Sequence, residues 1–157
     1  MNIVIAGGGT GGHLYPCLAL ADMFKMRGVT EILFIGTAAG LEARVVPQHG
    51  FRLETIDAEG WVGKTFLRKI RGLFFMGAGI VQSLKSLRRF SPNLVIGIGG
   101  YTAMPVLLAA ILLRIKRIIL EPNAMPGMAN QLLAPFVHLT VTAFPETEHL
   151  LLSLIHI

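Results

Sequence analysis

The sequence predicts an α/β fold, a Rossmann-like doubly wound parallel sheet, and three observations support this prediction. Short apolar runs of strand length alternate with longer segments of helical periodicity along most of the 157 residues. The first run, residues 2–6, is almost entirely apolar, as expected of a strand that is buried on both faces. Glycine-rich turns follow two of the runs, at the strand ends where sheets of this class bind ligands.

Each predicted element follows from a local pattern. Apolar runs predict strands at residues 2–6, 32–35, 52–56, 94–98, 117–120 and 139–142. Apolar residues at helical spacing predict helices at residues 13–27, 42–46, 65–89, 102–113 and 128–133, with another helix beginning at Pro145. Gly28 ends the first helix and Pro47 the second. Strands separated by helices imply right-handed crossovers, so the strands are expected to run parallel.

Composition excludes several classes of protein. With 53% hydrophobic and 15% charged residues, the chain is too apolar to be disordered. Its single cysteine, Cys17, cannot form an internal disulfide, which favours a reducing compartment. The first residues lack a basic leader and continue into glycines, so they do not predict a signal peptide. The nearest candidates for a membrane span, residues 72–84 and 102–113, are shorter than the roughly 18–20 apolar residues that a bilayer requires.

The positive charge is unevenly distributed. The formal net charge is +5, and residues 60–120 hold ten of the 14 Lys and Arg but no Asp or Glu. A block of one sign suggests an anionic partner, namely lipid headgroups, diphosphates or nucleic acid. Nucleic acid is the weakest of the three, because no recognition motif is present and aromatic residues make up only 8% of the chain.

The first glycine turn, residues 7–12, is called glycine loop 1 below. It joins the first strand to a helix, and its sequence is Gly-Gly-Gly-Thr-Gly-Gly, followed by His13. Glycines allow positive φ and let a ligand approach the backbone, and a helix amino terminus behind them favours a phosphate. Histidine titrates near neutrality, so His13 is a candidate general base; a helix-capping or core histidine is the alternative.

Other uses of glycine loop 1 remain open at this point. Gly7, Gly9 and Gly12 fit the GxGxxG pattern of NAD or FAD sites, but the second strand ends without the acidic residue that holds the ribose. A Walker A loop requires Lys where His13 stands. A purely structural turn is the third alternative, although a turn alone does not require so many glycines.

Two further turns carry candidate ligand-binding residues. Gly99-Gly100-Tyr101, called glycine loop 2 below, follows the fourth predicted strand and opens the next helix, which places a second phosphate-type turn at the same sheet edge. Glu121 and Asn123 follow the fifth strand in a turn fixed by prolines. Taken singly, Tyr101 is equally consistent with packing, Glu121 with charge pairing or helix capping, and Asn123 with satisfying turn backbone.

Segment 61–90 indicates a second kind of surface. Apolar residues at helical spacing predict a core stripe, while Phe74, Phe75 and Met76 lie partly off that stripe. Basic residues lie beside them in the sequence, and these are Lys64, Arg68, Lys69 and Arg71. This combination is typical of an interfacial helix on an anionic membrane leaflet. A buried helix with solvated basic residues, or a surface that packs against another domain, are the alternatives.

Together the three turns resemble those of the MurG family of glycosyltransferases, over about residues 1–150. The matching motifs are Gly-Gly-Thr-Gly-Gly-His at 8–13, Gly-Gly-Tyr at 99–101 and Glu-Pro-Asn at 121–123, with further matches at 34–37, 42, 46–47 and 143–145. The resemblance implies the N-terminal, acceptor-binding half of a two-domain GT-B enzyme. Such an enzyme transfers N-acetylglucosamine (GlcNAc) from UDP-GlcNAc to lipid I, an undecaprenyl-diphosphate-linked acceptor, and forms lipid II with inversion. Its place is the cytoplasmic face of the bacterial plasma membrane.

The same resemblance implies roles for individual residues. His13 would be the base for the acceptor hydroxyl. The residues that would contact the donor sugar are Thr10, Gly11, Gly12 and Asn123. Those that would face the acceptor diphosphate are Gly8, Gly9, Gly99, Gly100 and Tyr101, with Glu121 as a further candidate. No metal or other cofactor is expected, because the family uses backbone dipoles in place of a cation.

The sequence also departs from the family pattern. Leu120 and Pro122 replace the usual His and Gln of the third turn, and residues 102–105 differ from the Ser-Gly-Pro-like run that the family often carries. The polar roles of those side chains are therefore absent or moved. Residues 151–157 are expected to be a truncated or aberrant tail, and the C-terminal donor-binding domain is absent from the sequence. The chain by itself is expected to bind acceptor and not to turn over.

Two other functions remain as alternatives. The chain would be a non-catalytic, membrane-anchoring subunit of a split two-chain glycosyltransferase if its natural reading frame ended near residue 157. A nucleotide-dependent oxidoreductase would be favoured by tight binding of NAD to the chain.

Overall fold

The computed structural model describes residues 1–60 and 66–151, with the side chains of 66–71 left out of that description. The strands in this part of the chain are β1 Asn2–Ala6, β2 Glu31–Gly36, β3 Arg52–Thr55, β4 Leu94–Gly97, β5 Lys116–Glu121 and β6 Leu139–Thr142. The helices are α1 Gly11–Met26, α2 Glu42–Gln48, α3 Phe66–Phe90, α4 Gly100–Leu112, α5 Met128–Leu133 and α6 Pro145–Leu151. A single 3-10 turn, Ala134–Phe136, follows α5 and was not predicted from the sequence.

The strands form one parallel sheet in the order β3-β2-β1-β4-β5-β6. The chain reverses its direction of progress across the sheet between β1 and β4, which is the doubly wound, Rossmann-like arrangement that the sequence predicts. Ala6 pairs with Gly97 in the register of these two strands. Glycine loops 1 and 2 therefore leave the sheet side by side, at the point where such sheets bind ligands.

The core lies on both faces of the sheet. Ile3 and Ile5 pack with residues of α1 and α2 on one face, and Val4 and Ala6 pack with residues of α3 and α4 on the other. Successive residues of a strand point to opposite faces, so β1 is buried along its whole apolar length. This is the physical reason why residues 2–6 have no polar alternation.

Close packing of α4 on β4 places glycine loop 2 directly at the carboxyl end of β4. A Cβ atom added at Gly97 would lie 2.5 Å from Cδ1 of the buried Leu107, so a side chain here would force Leu107 to move. α4 accordingly begins directly above the carboxyl end of β4, at Gly100.

Several element boundaries differ from the predictions. α1 begins at Gly11 and α4 at Gly100, both earlier than predicted, so the ends of both glycine loops are the first turns of helices. Pro47 lies inside α2 and does not end it. Proline removes only one donor near the helix end, and the His49 N–H still donates to the carbonyl of Val45. Residues 152–157 of the predicted tail lie outside the described residues.

Within residues 1–60 and 66–151, no helix combines the length and the apolar character that crossing a bilayer requires.

Candidate active site

Glycine loops 1 and 2 contact each other above the carboxyl ends of β1 and β4. A Cβ atom added at Gly100 would lie 3.4 Å from the carbonyl oxygen of Gly8, and one added at Gly9 would lie 3.1 Å from the hydroxyl oxygen of Tyr101. Gly9, Gly99 and Gly100 have φ angles of 82°, 79° and 77°, a region that glycine enters without strain. The two turns fit together because these positions carry no side chain.

Each glycine loop ends at an uncapped helix amino terminus. Thr10 precedes α1 and Gly99 precedes α4, and neither provides a side-chain cap within the described part of the chain. The first amide groups of a helix have no helical partner, and the aligned peptide dipoles make this end positive. Two such termini at one sheet edge favour the binding of a compact anion such as a diphosphate.

A cavity of about 660 Å³ opens beside this edge. Its polar side carries His13, Thr37, Gly100 and Tyr101. Its apolar side is formed by methionines from three helices, namely Met76 of α3, Met104 of α4 and Met128 of α5. The volume lies in the range of small-molecule sites, and this mixed lining suits a polar ligand that is joined to an apolar group.

His13 is half-buried on the wall of this cavity, and Thr10 holds its ring. The Nδ1 atom lies 2.9 Å from Oγ1 of Thr10. The imidazole also lies against glycine loop 2, since a Cβ atom at Gly99 would be 3.4 Å from Nε2. In the tautomer with its proton on Nδ1, this N–H donates to Thr10 and Nε2 keeps the lone pair that can accept a proton. Thr10 therefore orients the imidazole of His13.

Glu42 is the main residue of this region whose role the sequence did not predict. It is completely buried in the first turn of α2, beneath glycine loop 1. The Gly9 N–H donates to its carboxylate at 2.8 Å, and the N–H and hydroxyl of Thr37 donate to it at 2.8 and 2.9 Å. The Gly9 amide is thus engaged inside the protein. The available signal was a single acidic residue in the apolar stretch between Glu31 and Glu54.

Cys17 of α1 lies directly beneath the same loop. A Cβ atom at Gly7 would lie 2.8 Å from its Sγ, and the thiol is fully buried. Burial raises the pKa of the Cys17 thiol well above its ordinary value, and the negative charge of Glu42 raises it further. Because the thiolate is the reactive form, Cys17 is a packing residue in the folded domain.

Glu121 organises the third turn from the inside, with only 1% of its surface exposed. Its carboxylate accepts hydrogen bonds from the backbone N–H groups of Asn123 and Gly127, both at 2.9 Å. It also accepts from the side-chain amides of Asn123 at 2.9 Å and Asn130 at 2.8 Å. Asn123 is exposed, and its carbonyl accepts from the hydroxyl of Thr147 at 3.0 Å. The turn is therefore folded around a buried carboxylate.

Asn130 joins the third turn to glycine loop 2. It is fully buried, and a Cβ atom at Gly99 would lie 3.1 Å from its Nδ2. Its Oδ1 has no hydrogen-bond partner among the described residues. A side chain at position 99 would therefore displace both Asn130 and His13. The sequence offered only one signal for Asn130, a polar residue within a mainly apolar helix.

The predicted residues occupy two positions relative to the cavity. His13, Gly100 and Tyr101 line it. Thr10 and Gly12 are exposed and Gly11 is half-buried directly before His13 in the chain, and none of the three lines the cavity. Asn123 and Glu121 lie in the neighbouring turn and do not line the cavity. Leu120, where the family has a polar residue, packs against the apolar core on the α1 side of the sheet.

α3 presents an apolar surface to solvent next to the cavity. Phe74 is 75% exposed and Leu73 is 65% exposed. The Phe74 ring packs edge-on against Phe75, with 6.2 Å between ring centroids. Lys64 of the predicted basic flank lies outside the described residues, and for Arg68, Lys69 and Arg71 only the helical backbone is described.

Comparison with known sequences gives matches along nearly the whole chain. Residues 3–142 match the glycosyltransferase family 28 N-terminal domain. A protein of Geotalea uraniireducens named UDP-N-acetylglucosamine–N-acetylmuramyl-(pentapeptide) pyrophosphoryl-undecaprenol N-acetylglucosamine transferase is 47% identical over 149 residues. The protein of the same name from Thermodesulfovibrio yellowstonii is 43% identical over 148 residues. These matches cover 94% of this chain but only 41% and 40% of those proteins.

Comparison with solved structures also finds a MurG protein and others that share the fold. The crystal structure of Acinetobacter baumannii MurG has a TM-score of 0.82 at 30% identity, covering 92% of this chain and 42% of that chain. Staphylococcus aureus MnaA, solved with UDP, shares the fold at a TM-score of 0.71 and 16% identity, covering 98% of this chain and 40% of that chain. By its sequence, its sheet order and its glycine loops, the chain belongs to glycosyltransferase family 28, as an N-terminal domain of the MurG type.

Proposed function

We propose that this domain is the acceptor-binding half of an inverting hexosyltransferase that moves GlcNAc from UDP-GlcNAc to lipid I and forms lipid II. The position of His13 carries the proposal. Its ring is oriented by Thr10 on the wall of a cavity of about 660 Å³, beside two uncapped helix amino termini. The names of the relatives support these substrates, because they specify N-acetylglucosamine transfer to a pyrophosphoryl-undecaprenol-linked sugar.

In this proposal the amino termini of α1 and α4 bind the acceptor diphosphate. Their free amides and dipoles supply the positive potential that a metal ion supplies in other phosphate sites, so no metal is assigned a role. The donor sugar lies at the open side of glycine loop 1, near Thr10, Gly11 and Gly12, with Asn123 in the neighbouring turn. A second domain supplies the rest of the donor site.

The chemistry follows from the free Nε2 of His13. Nε2 accepts the proton of the acceptor hydroxyl, and the oxygen attacks the anomeric carbon of GlcNAc from the face opposite UDP. The bond from that carbon to the diphosphate oxygen breaks, its electron pair leaves with UDP, and the configuration inverts. The imidazolium then keeps its Nδ1–H donated to Thr10 and releases the proton from Nε2 to water.

Acceptor binding can be tested on the domain itself. We expect it to bind a water-soluble lipid I analogue with a short prenyl chain, and Gly100→Ala to weaken binding about tenfold, because a side chain strains the turn at φ 77°. Gly28→Ala is the matched control, since Gly28 has φ 83° at the end of α1 and open space around it. Fluorescence titration gives both affinities. Absence of analogue binding to folded wild-type domain, or equal effects of both variants, would contradict the proposal.

α3 is proposed to hold the domain on an anionic membrane surface, at the cytoplasmic face of the bacterial plasma membrane. Phe74 and Leu73 would enter the interface, and the basic residues before them in the sequence would add attraction of about 1 kcal/mol each. An acceptor with an undecaprenyl chain is available only at such a surface.

Vesicle sedimentation tests this membrane contact. We expect the domain to bind phosphatidylglycerol vesicles at low salt and to be released from them by high salt. It should not bind phosphatidylcholine vesicles. Phe74→Ser should weaken binding about tenfold, because it removes one aromatic ring from the interface. Met26→Ser, which alters an 81% exposed residue at the end of α1, should leave binding unchanged. Salt-independent binding, or equal losses for the two variants, would exclude α3 as the contact.

A further inference from the structure

Glu42 has an unusual environment for a charged residue. It is completely buried, and among the described residues no Lys, Arg or His forms an ion pair with it. Burying a carboxylate without a cation is costly unless hydrogen bonds replace its lost water. Here the replacement comes from Gly9 in glycine loop 1 and from Thr37 in the turn after β2.

Three glycines make room for this carboxylate. A Cβ atom at any of Gly8, Gly36 or Gly40 would overlap the Glu42 side chain. Gly36 is the last residue of β2, Gly40 lies in the turn between β2 and α2, and Gly8 lies in glycine loop 1. The carboxylate is therefore enclosed between two separate turns of the backbone and holds them together.

The hydrogen bond from the Gly9 N–H to Glu42 fixes the orientation of glycine loop 1. Because the Gly9 N–H donates to Glu42, it is not available to a ligand, whereas the first amides of α1 have no helical partner. Thr10 and His13 follow directly, and their mutual hydrogen bond depends on the same stretch of backbone. A loop released from Glu42 would carry the imidazole and the helix amides away from their present positions.

We propose that Glu42 is a positioning residue for the transfer reaction, acting through glycine loop 1 on His13 and the amino terminus of α1. This inference rests on the proposed function. An apolar side chain of similar size would fill the same space, but it would leave the Gly9 and Thr37 amides unpaired. The carboxylate is the group that accepts from both turns at once.

Amide exchange and transfer activity test this inference together. In Glu42→Gln, one carboxylate oxygen becomes an NH₂ group that cannot accept. Oε1 accepts two hydrogen bonds from Thr37 and Oε2 only one from Gly9, so we expect the amide oxygen to stay with Thr37 and the NH₂ group to face Gly9, which releases glycine loop 1. We expect exchange of the Gly9 N–H in the domain, followed by NMR, to accelerate on the order of 10- to 100-fold more than that of β1 amides, the usual effect of losing a hydrogen bond to a charged group. We expect kcat/KM of the complete transferase to fall by about tenfold or more.

Val46→Ala is the matched control on the same helix. Val46 is fully buried in the core beneath α2, so its truncation lowers stability without touching the carboxylate. We expect Gly9 and the β1 amides to accelerate equally in this variant, with kcat/KM retained. If Glu42→Gln does not fold, Glu42→Asp is used in its place. The aspartate keeps the negative charge, but its shorter side chain cannot reach both turns.

Each result decides the matter. Unchanged exchange of Gly9 in the Glu42 variant overturns the inference, and so does faster exchange with full transfer activity. Equal losses of kcat/KM in the Glu42 and Val46 variants would reduce Glu42 to a stability role, which also overturns it. A wild-type enzyme that transfers no GlcNAc would instead refute the proposed function, and that outcome is visible before any variant is made.

Discussion

We expect His13→Ala to lower the turnover of the complete transferase by about 10²-fold or more, the usual scale for loss of a general base. The substitution removes Nε2 from the cavity wall and should leave both glycine loops in place, because among the described residues the imidazole bonds to the Thr10 side chain and not to backbone. Steady-state transfer from radiolabelled UDP-GlcNAc to a lipid I analogue measures the effect.

His49→Ala is the control for this experiment, since His49 is exposed at the end of α2. Its rate should equal that of the wild type. Acceptor binding by the His13→Ala domain should also persist, which separates a chemical role from a binding role. A near-normal rate in His13→Ala would remove this residue from the mechanism.

The second large effect concerns stability, and we expect Glu121→Ala to lower the free energy of unfolding by about 3 kcal/mol or more. The carboxylate accepts four hydrogen bonds inside the third turn, and alanine leaves those donors without a partner. For a domain of this size the loss corresponds to a fall in Tm of roughly 10 °C. Thermal and urea unfolding followed by circular dichroism measure it.

Glu31→Ala tests whether removing any acidic residue would lower the free energy of unfolding to the same extent. Glu31 is exposed at the start of β2, so its removal should change stability by less than about 0.5 kcal/mol. A loss below about 1 kcal/mol in Glu121→Ala would mean that water satisfies the donors that the carboxylate satisfies in the wild type, and that other contacts hold the turn in its conformation.

The elements that the sequence predicted best are those with one dominant local signal. β1 has the predicted bounds because a strand buried on both faces is uniformly apolar, and α5 follows Gly127 as predicted. The starts of α1 and α4 were predicted too late, since glycine disfavours helix in isolation. The close approach of α4 to β4 at Gly97 outweighs this local preference.

For the candidate site, the sequence indicated which turns matter but not what holds them. His13, Gly100 and Tyr101 were predicted from the turns and do line one cavity. Glu42 and Asn130 were not predicted as part of this region, because their roles come from long-range contacts. Glu42 meets a backbone amide 33 positions away in the chain, and no local pattern reveals that a buried charge will find such a donor.

The two sides of α3 have a further consequence for how an acceptor of the proposed kind would reach His13. Phe74 points to solvent while Met76, on the same turn, lines the cavity, and a helix with its side chains is only about 10–12 Å wide. If the prenyl chain of such an acceptor entered the membrane beside Phe74, its diphosphate and sugar would have to pass only the width of this one helix to reach His13. The sugar could thus be glycosylated at headgroup height, with its hydrocarbon anchor still in the leaflet.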